Sequence, residues 1–353
     1  MMFIVGLGTA TPPQRYTQSQ CWDALQTSEQ FKQLDRRARA ILKKVLLGDN
    51  GIRTRFLVLN PLTEVFDSTP DKLHQRFTQH APILAAQAAE RALQQAGNQP
   101  GQMDAVIIST CTGYLCPGLT SYVAERLRLR PDVVALDLVG QGCGAALPNM
   151  RTAEALLAAK RCRRVLSICV EICSAAFYLD NDPGVLISAC LFGDGAAAAV
   201  LSDEPNSHGR RIEWKASTTL CNPLERDALR FEQKNGMLRN ILTPLVPRLA
   251  ARHAEEVLDE VLNKSSISRG QISAWIWHAG GRDVLAALSE RLGLTATDLR
   301  WSSKVLSEFG NLSSPFVYFV LQAALMENAP NGWWWLSSFG AGFSCHGALL
   351  EVA

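Results

Sequence analysis

Three stretches of this chain occur twice, in the same order. "AVIISTCTG" (105–113) is an apolar run that ends in small polar residues, and so is "AWIWHAGGR" (274–282). "GQGCGAALPNMRTAEALL" (140–157) is a glycine turn that feeds a helical pattern, and so is "FGNLSSPFVYFVLQAALM" (309–326). "CLFGDGAAAAVLS" (190–202) and "SFGAGFSCHGALLEV" (338–352) both run Phe-Gly-x-Gly into an apolar strand. Three echoes in one order read as a duplicated α/β unit. The strand candidates, such as "RRVLSICVEI" and "GAAAAVLS", are almost wholly apolar and alternate with amphipathic helices. That pattern belongs to a buried, parallel or mixed sheet in an α/β protein. The polar run "SDEPNSHGRR" (202–211) separates the two halves, 1–204 and 205–353.

Composition narrows the function. The 353 residues, 47% hydrophobic and 19% charged, make a globular chain with a substantial core. Thirty-five basic residues against 33 acidic ones leave a net charge of +2, which argues against a nucleic-acid partner. No apolar run approaches the roughly 20 residues of a membrane span. The opening "MMFIVGLGTATPPQRY" lacks the basic start of an export signal and reads as a first strand and turn. The ten cysteines are therefore read as reduced thiols in the cytoplasm, and none has zinc-site spacing.

One of those cysteines stands apart. In "VGQGCGAALP" Cys143 lies among three glycines where a strand turns into a helix. Two readings compete. Gly140, Gly142 and Ala145 fit a dinucleotide fingerprint, with Glu171 ending the next strand. Alternatively, Cys143 is a nucleophile whose thiolate the helix N-terminus favours. The repeat bears on the choice. Asn311 starts the matching helix of the second half, and His278 ends the strand of "WIWHAGG". An imidazole beside a thiol lowers its pKa further, and an amide donates to an oxyanion without titrating. Taken singly, each residue has an ordinary structural explanation: a turn cysteine, a core histidine, a helix cap. At matched positions of a repeat, Cys143, His278 and Asn311 make an acyl-transfer set. His74, His80, His208 and His253 read as surface residues, and His346 as packing.

At these residues the sequence resembles the chalcone synthase-like type III polyketide synthases of the thiolase superfamily, in their bacterial form. The resemblance rests on "LVGQGCGAALPNMRTAEALL", "VEICSAAF", "CLFGDGAAAAVL", "WIWHAGG", "EFGNLSSPFVYFVL" and "SSFGAGFSCHGALLEV", with the opening "GLGTATPP", and extends over residues 1–353. It implies a thiolase-like αβαβα fold built from two duplicated halves. It implies Cys143 as acyl carrier, with His278 and Asn311 as the decarboxylation and oxyanion pair. Substrate-binding positions would be Phe192 as gatekeeper, Cys111, Ala176, Ser188 and Ser313. Cys116 falls where the family's dimer partner reaches into the neighbouring cavity. Lys43 would grip the phosphates of CoA, with Arg36, Arg37, Arg53 and Arg55 nearby. The implied reaction loads an acyl-CoA starter, extends it with malonyl-CoA by decarboxylative Claisen condensation, and cyclises it to a pyrone or resorcinol-type product. It needs no cofactor beyond the CoA thioesters, and the implied assembly is a homodimer. The chain departs from the plant pattern: Cys111 and Ala176 replace threonines, Ser188 replaces a glycine, and "NGMLRNILTPLVP" carries no second gatekeeper phenylalanine. The wider, more apolar wall points to a medium- or long-chain acyl starter. Rival functions are a ketoacyl synthase III-like condensing enzyme, a non-catalytic subunit of the same fold, and an NAD-dependent dehydrogenase.

Overall fold

The computed structural model describes residues 1–206 and 209–353, so His208 lies outside the described residues. Strands β1 (Met2–Ala10), β2 (Arg15–Thr17) and β3 (Thr54–Phe56) accompany helices α1 (Gln18–Gln26), α2 (Glu29–Gln33) and α3 (Arg36–Leu47). Helix α4 (Pro70–Ala96) precedes β4 (Ala105–Ser109), α5 (Leu119–Leu127), β5 (Val134–Leu138) and α6 (Ala146–Ala158). The first half closes with β6 (Arg164–Glu171), α7 (Pro183–Leu191) and β7 (Gly195–Ser202). The second half contains β8 (Ile212–Cys221), the hairpin β9 (Leu229–Lys234) and β10 (Met237–Leu242), α8 (Val246–Ser265), β11 (Ile272–Trp277) and α9 (Arg282–Leu292). It ends with α10 (Arg300–Phe309), α11 (Phe316–Met326), β12 (Gly332–Gly340) and β13 (Ser344–Val352).

The repeat is visible in the sheet. A nine-stranded sheet runs in the order β11-β12-β13-β8-β1-β7-β6-β4-β5. Outward from its centre, β1-β7-β6-β4 pair antiparallel, antiparallel and parallel. In the other direction β8-β13-β12-β11 follow the same sequence of senses. The antiparallel β1–β8 pair joins the two series. Each echoed segment therefore takes the same place in its own half: β4 and β11, α6 and α11, β7 and β13. Strand β5 is the addition to the first half, and it forms the sheet's edge.

Helices complete five layers. Helix α4 covers the outer face of β1, β6 and β7, and α8 covers β8 and β13. Between the two halves lie α6 and α11. Helix α6 packs on β4 and β6 of its own half and also on β12 and β13, and α11 packs on β11 and β12 and also on β1 and β7. A helix packed between the two halves of the sheet has no polar face, and α11 ("FVYFVLQAALM") is buried along most of its length. Helices α1, α3 and α7 form a cap above this sandwich, a separate small core with Cys21, Leu25, Leu42 and Leu46 at its centre. Among the described residues, no helix is long and apolar enough to cross a membrane.

Candidate active site

The cysteine turn is shaped by what presses on it. Gly142 has φ +58°, and a Cβ there would stand 3.0 Å from the Ala341 amide nitrogen. A Cβ on Gly144 would lie 3.0 Å from the Gly340 nitrogen and 3.1 Å from the Phe339 carbonyl carbon. Ser338 Oγ donates to the Gly144 carbonyl at 3.0 Å. The turn between β12 and β13 is thus seated directly on the cysteine turn, which explains the flanking glycines. It also argues against the dinucleotide reading, because the Ala341 backbone stands beside Gly142, the fingerprint glycine that a pyrophosphate would have to approach. The glycines serve a close contact between the two halves.

Cys143 sits one turn ahead of α6, half-buried. Its Sγ accepts a hydrogen bond from Ser313 Oγ at 3.1 Å. Ser313 N donates to Asn311 Oδ1 at 2.8 Å, and Asn311 Nδ2 donates to Gly280 O at 3.1 Å. A chain of hydrogen bonds therefore leads from Cys143 in the first half to the loop just beyond His278 in the second. Asn311 is also fixed through its backbone: its N–H bonds to Leu191 O at 2.9 Å, and its carbonyl accepts from Gly193 N at 3.0 Å. This bridge places Asn311 beside Phe192. His278 follows β11, with its backbone N–H on Ser337 O and its ring edge-on to Phe316 at 5.2 Å. Its Nδ1 is buried without a partner.

Burial sets the protonation states. The Cys143 thiol is pushed up to about 12, chiefly by burial, with the Ser313 hydroxyl pulling it down and the charge of Glu171 pushing it up. This corrects the expectation of a lowered pKa from the helix N-terminus and His278. Loss of solvent is the largest cause, and the hydrogen bond to the sulfur comes from Ser313 rather than from His278. The same loss of solvent pushes His278 down to about 3, which leaves a neutral imidazole. A neutral thiol and a neutral base therefore occupy the site.

Glu171 is the residue that sequence reasoning undervalued. It ends β6 fully buried and receives Ser314 Oγ at 2.6 Å, Thr112 Oγ1 at 2.9 Å and the Cys111 amide at 3.0 Å. Cys111 Sγ approaches it at 3.4 Å and lies 3.5 Å from Ser313 Oγ. Burial raises its pKa against the pull of those donors. The signal in the sequence was a single carboxylate at the end of an otherwise apolar strand.

The other expected residues divide into two groups. Cys111, Ala176, Ser188, Phe192 and Ser313 line one small pocket together with Phe177, Phe231 and Leu238. Cys111 also lines a larger cavity of about 700 Å³ that opens past Gly140 and Tyr114 and under the β9–β10 hairpin. Phe231 of β9, which pairs with Asn240 of β10, borders both. Cys116 and Lys43 are exposed and border neither cavity. Arg36, Arg37 and Arg53 are exposed as well, whereas Arg55 is only 2% exposed. Arg55 Nη1 donates to the carbonyls of Ala189 and Phe192, so it serves the cap and not a CoA phosphate. His253 corrects a second reading. It is 3% exposed, with its Nε2 2.6 Å from Glu225 and its ring stacked on Phe343.

Residues 9–220 match the family model described as FAE1/type III polyketide synthase-like protein, and residues 226–352 match the C-terminal domain of chalcone and stilbene synthases. The chain belongs to the type III polyketide synthases. It is thus an acyltransferase of decarboxylative condensation, with a thiolase-like fold. The synthase is 30% identical over 362 residues to a 3,5-dihydroxyphenylacetyl-CoA synthase of Streptomyces toyocaensis, covering 99% of this chain and 89% of that one. The same-named protein of Amycolatopsis balhimycina is 28% identical, covering 98% and 92%. Among solved structures, the C-terminal type III polyketide synthase domain of Steely1 from Dictyostelium superposes with a TM-score of 0.89 at 24% identity, covering 99% of both chains. PKS-I from the brown alga Ectocarpus siliculosus gives 0.90 at 24% identity, covering 100% of this chain and 98% of that one. These likenesses show the fold.

Proposed function

We propose that Cys143 carries the starter and the growing polyketide, and that His278 and Asn311 supply the proton acceptor and the donors for its chemistry. The observation that carries this reading is the hydrogen-bonded chain Cys143–Ser313–Asn311–Gly280, which ends two residues after His278. In loading, the neutral His278 imidazole takes the thiol proton as sulfur attacks the acyl-CoA carbonyl. The CoA sulfur leaves and receives that proton. In extension, malonyl-CoA loses carbon dioxide, and its thioester oxygen becomes an enolate. Asn311 has one N–H committed to Gly280 and one free for that oxygen. The enolate carbon then attacks the thioester on Cys143, the C–S bond breaks, and the chain is left on CoA one ketide longer.

Support for a resorcinol-type ring comes from the relatives, whose shared name describes a 3,5-dihydroxyphenyl product. Exposed basic residues on α3, Lys43 among them, suit the phosphates of CoA. We also read the molecule as a homodimer. Strand β5 pairs with β4 on one side and ends the sheet on the other. Beside that edge, Val139 is 57% and Tyr114 is 70% exposed at the cavity mouth. A second copy pairing there would cover the open edge and close the mouth, with Cys116 in the loop between them. Light scattering at micromolar concentration should give twice the chain mass; a monomer would remove this part of the reading.

The test of the chemistry is mass spectrometry of products from acyl-CoA and malonyl-CoA with the intact chain. A cyclised product lost in Cys143→Ala supports the reading. Condensation that persists in that variant overturns it.

A further inference from the structure

Beside the synthase pocket lies a second cavity that the chemistry above leaves unused. It measures about 60 Å³ and lies within the cap, with walls from Ala24 and Leu25 of α1, Leu42 and Leu46 of α3, and Phe66. Its one polar neighbour with a charge is Arg55, whose Nε and Nη1 are already bonded to Gln18, Ala189 and Phe192. The small pocket beside Ser313 measures about 20 Å³. Phe177 lines both spaces. It packs with Leu57, Leu59 and Cys173, and Arg55 Cζ lies 6.0 Å from its ring centre.

We propose that this cap cavity seats the distal methylenes of the starter acyl chain, with Phe177 as the movable partition and α1 and α3 as the end wall that sets its length. The inference rests on the reading of Cys143 as acyl carrier. With the acyl carbonyl on Cys143, the first carbons lie at Ser313, which touches the sulfur and lines the small pocket. Ala176 leaves an apolar wall there, and the next side chain along the backbone is Phe177. A partition made of one side chain opens by a change of rotamer and needs no movement of helix or strand. The occupant is alkyl because, Arg55 and Tyr178 apart, the walls are leucine, valine, phenylalanine, alanine and cysteine, and a water placed among them would lack most of its partners.

Volume gives the length. A water-sized group needs about 10–15 Å³ by this measure, so the cap cavity holds about four or five carbons and the small pocket about one or two. With the carbonyl carbon, the best starter has about six to eight carbons, which narrows the wider range expected from the sequence.

The experiment loads the intact chain with acyl-CoAs from C2 to C16, without malonyl-CoA, and follows acyl-enzyme formation by intact mass. Loading kcat/KM is expected to climb about fourfold per methylene up to C6–C8 and then fall. Ala24→Leu fills the end wall, so its optimum should move about three carbons shorter. Phe177→Ala joins the two spaces and should raise loading of C8 and longer chains. A flat length profile, or an Ala24→Leu profile identical to that of the unaltered chain, overturns the cavity's role even if Phe177→Ala fails to fold. Loading at a residue other than Cys143, or no loading by any acyl-CoA, instead overturns the acyl-carrier reading and this inference with it.

Discussion

Ser313 Oγ stands 3.1 Å from Cys143 Sγ and 3.4 Å from Glu171 Oε1, so a single hydroxyl proton faces both a sulfur and a carboxylate. Ser313 holds this place with a left-handed backbone, φ +58°. Its rotor decides which neighbour is stabilised. Given to Cys143, the proton favours a thiolate; given to Glu171, it favours the charged carboxylate.

Ser313→Ala should therefore raise the Cys143 pKa further above about 12. A hydrogen bond to a charged group contributes about 1.5–3 kcal/mol, so alkylation of Cys143 at fixed pH should slow by roughly tenfold or more. Iodoacetamide labelling followed by peptide mass spectrometry checks this. An unchanged rate would show that the hydroxyl spends its time on Glu171.

In the unaltered chain, labelling should begin elsewhere. Cys116 and Cys221 are exposed, while Cys143 is half-buried with its thiol at about 12. The thiolate fraction of Cys143 grows about tenfold per pH unit below that value, so its labelling rate should keep rising between pH 7 and 10 without a plateau. A plateau near neutral pH would mean that a thiolate already exists in the free protein.

Asn311→Ala should cut malonyl-CoA decarboxylation by about 10²–10³ while Cys143 still accepts an acyl group. The same side chain ties Ser313 N and Gly280 O, so some loss of thermal stability should accompany it. Asn311→Asp keeps the acceptor for Ser313 and loses the donor, so it should restore part of the stability and none of the decarboxylation. Full decarboxylation in either variant removes Asn311 from the reaction.

His278 should make the protein acid-labile. Its folded pKa, about 3, lies below its ordinary 6.5. Protons thus bind the unfolded chain first as pH falls, and stability is lost from about pH 6.5 downward. By pH 4.5 this loss should be on the order of 3 kcal/mol. Urea unfolding of His278→Gln at pH 7 and 4.5 tests it. The variant should lose less between the two values, since glutamine takes up no proton, and an equal loss would place the acid sensitivity at another group, such as His346.

The fold was legible because the sequence repeats its own strand and helix order, and apolar runs such as "GAAAAVLS" fit only a strand buried on both faces. Candidate site positions at the ends of β11 and the start of α6 were legible for the same reason, since equivalent segments must meet where the halves meet. What escaped were contacts between residues far apart in the chain. Cys143 and Ser313 are 170 positions apart, and no periodicity announces which oxygen a sulfur will face. In the sequence Arg55 reads as a CoA contact and His253 as a surface residue because polar side chains are normally solvated, yet carbonyls and a carboxylate replace water around them. The sequence of β10 carries no wall phenylalanine, yet Phe231 of β9 lines both cavities, because a hairpin brings two strands to one wall.

The internal dyad of the sheet has a consequence for how such a pocket changes. Two copies of one scaffold deliver two backbone addresses, at 143 and 311, to a shared crevice, and the chain has written a different residue at each. Neither address depends on the other's side chain for its position. A lineage carrying this scaffold can therefore rewrite one of them, or the cap above them, while every strand stays where it was.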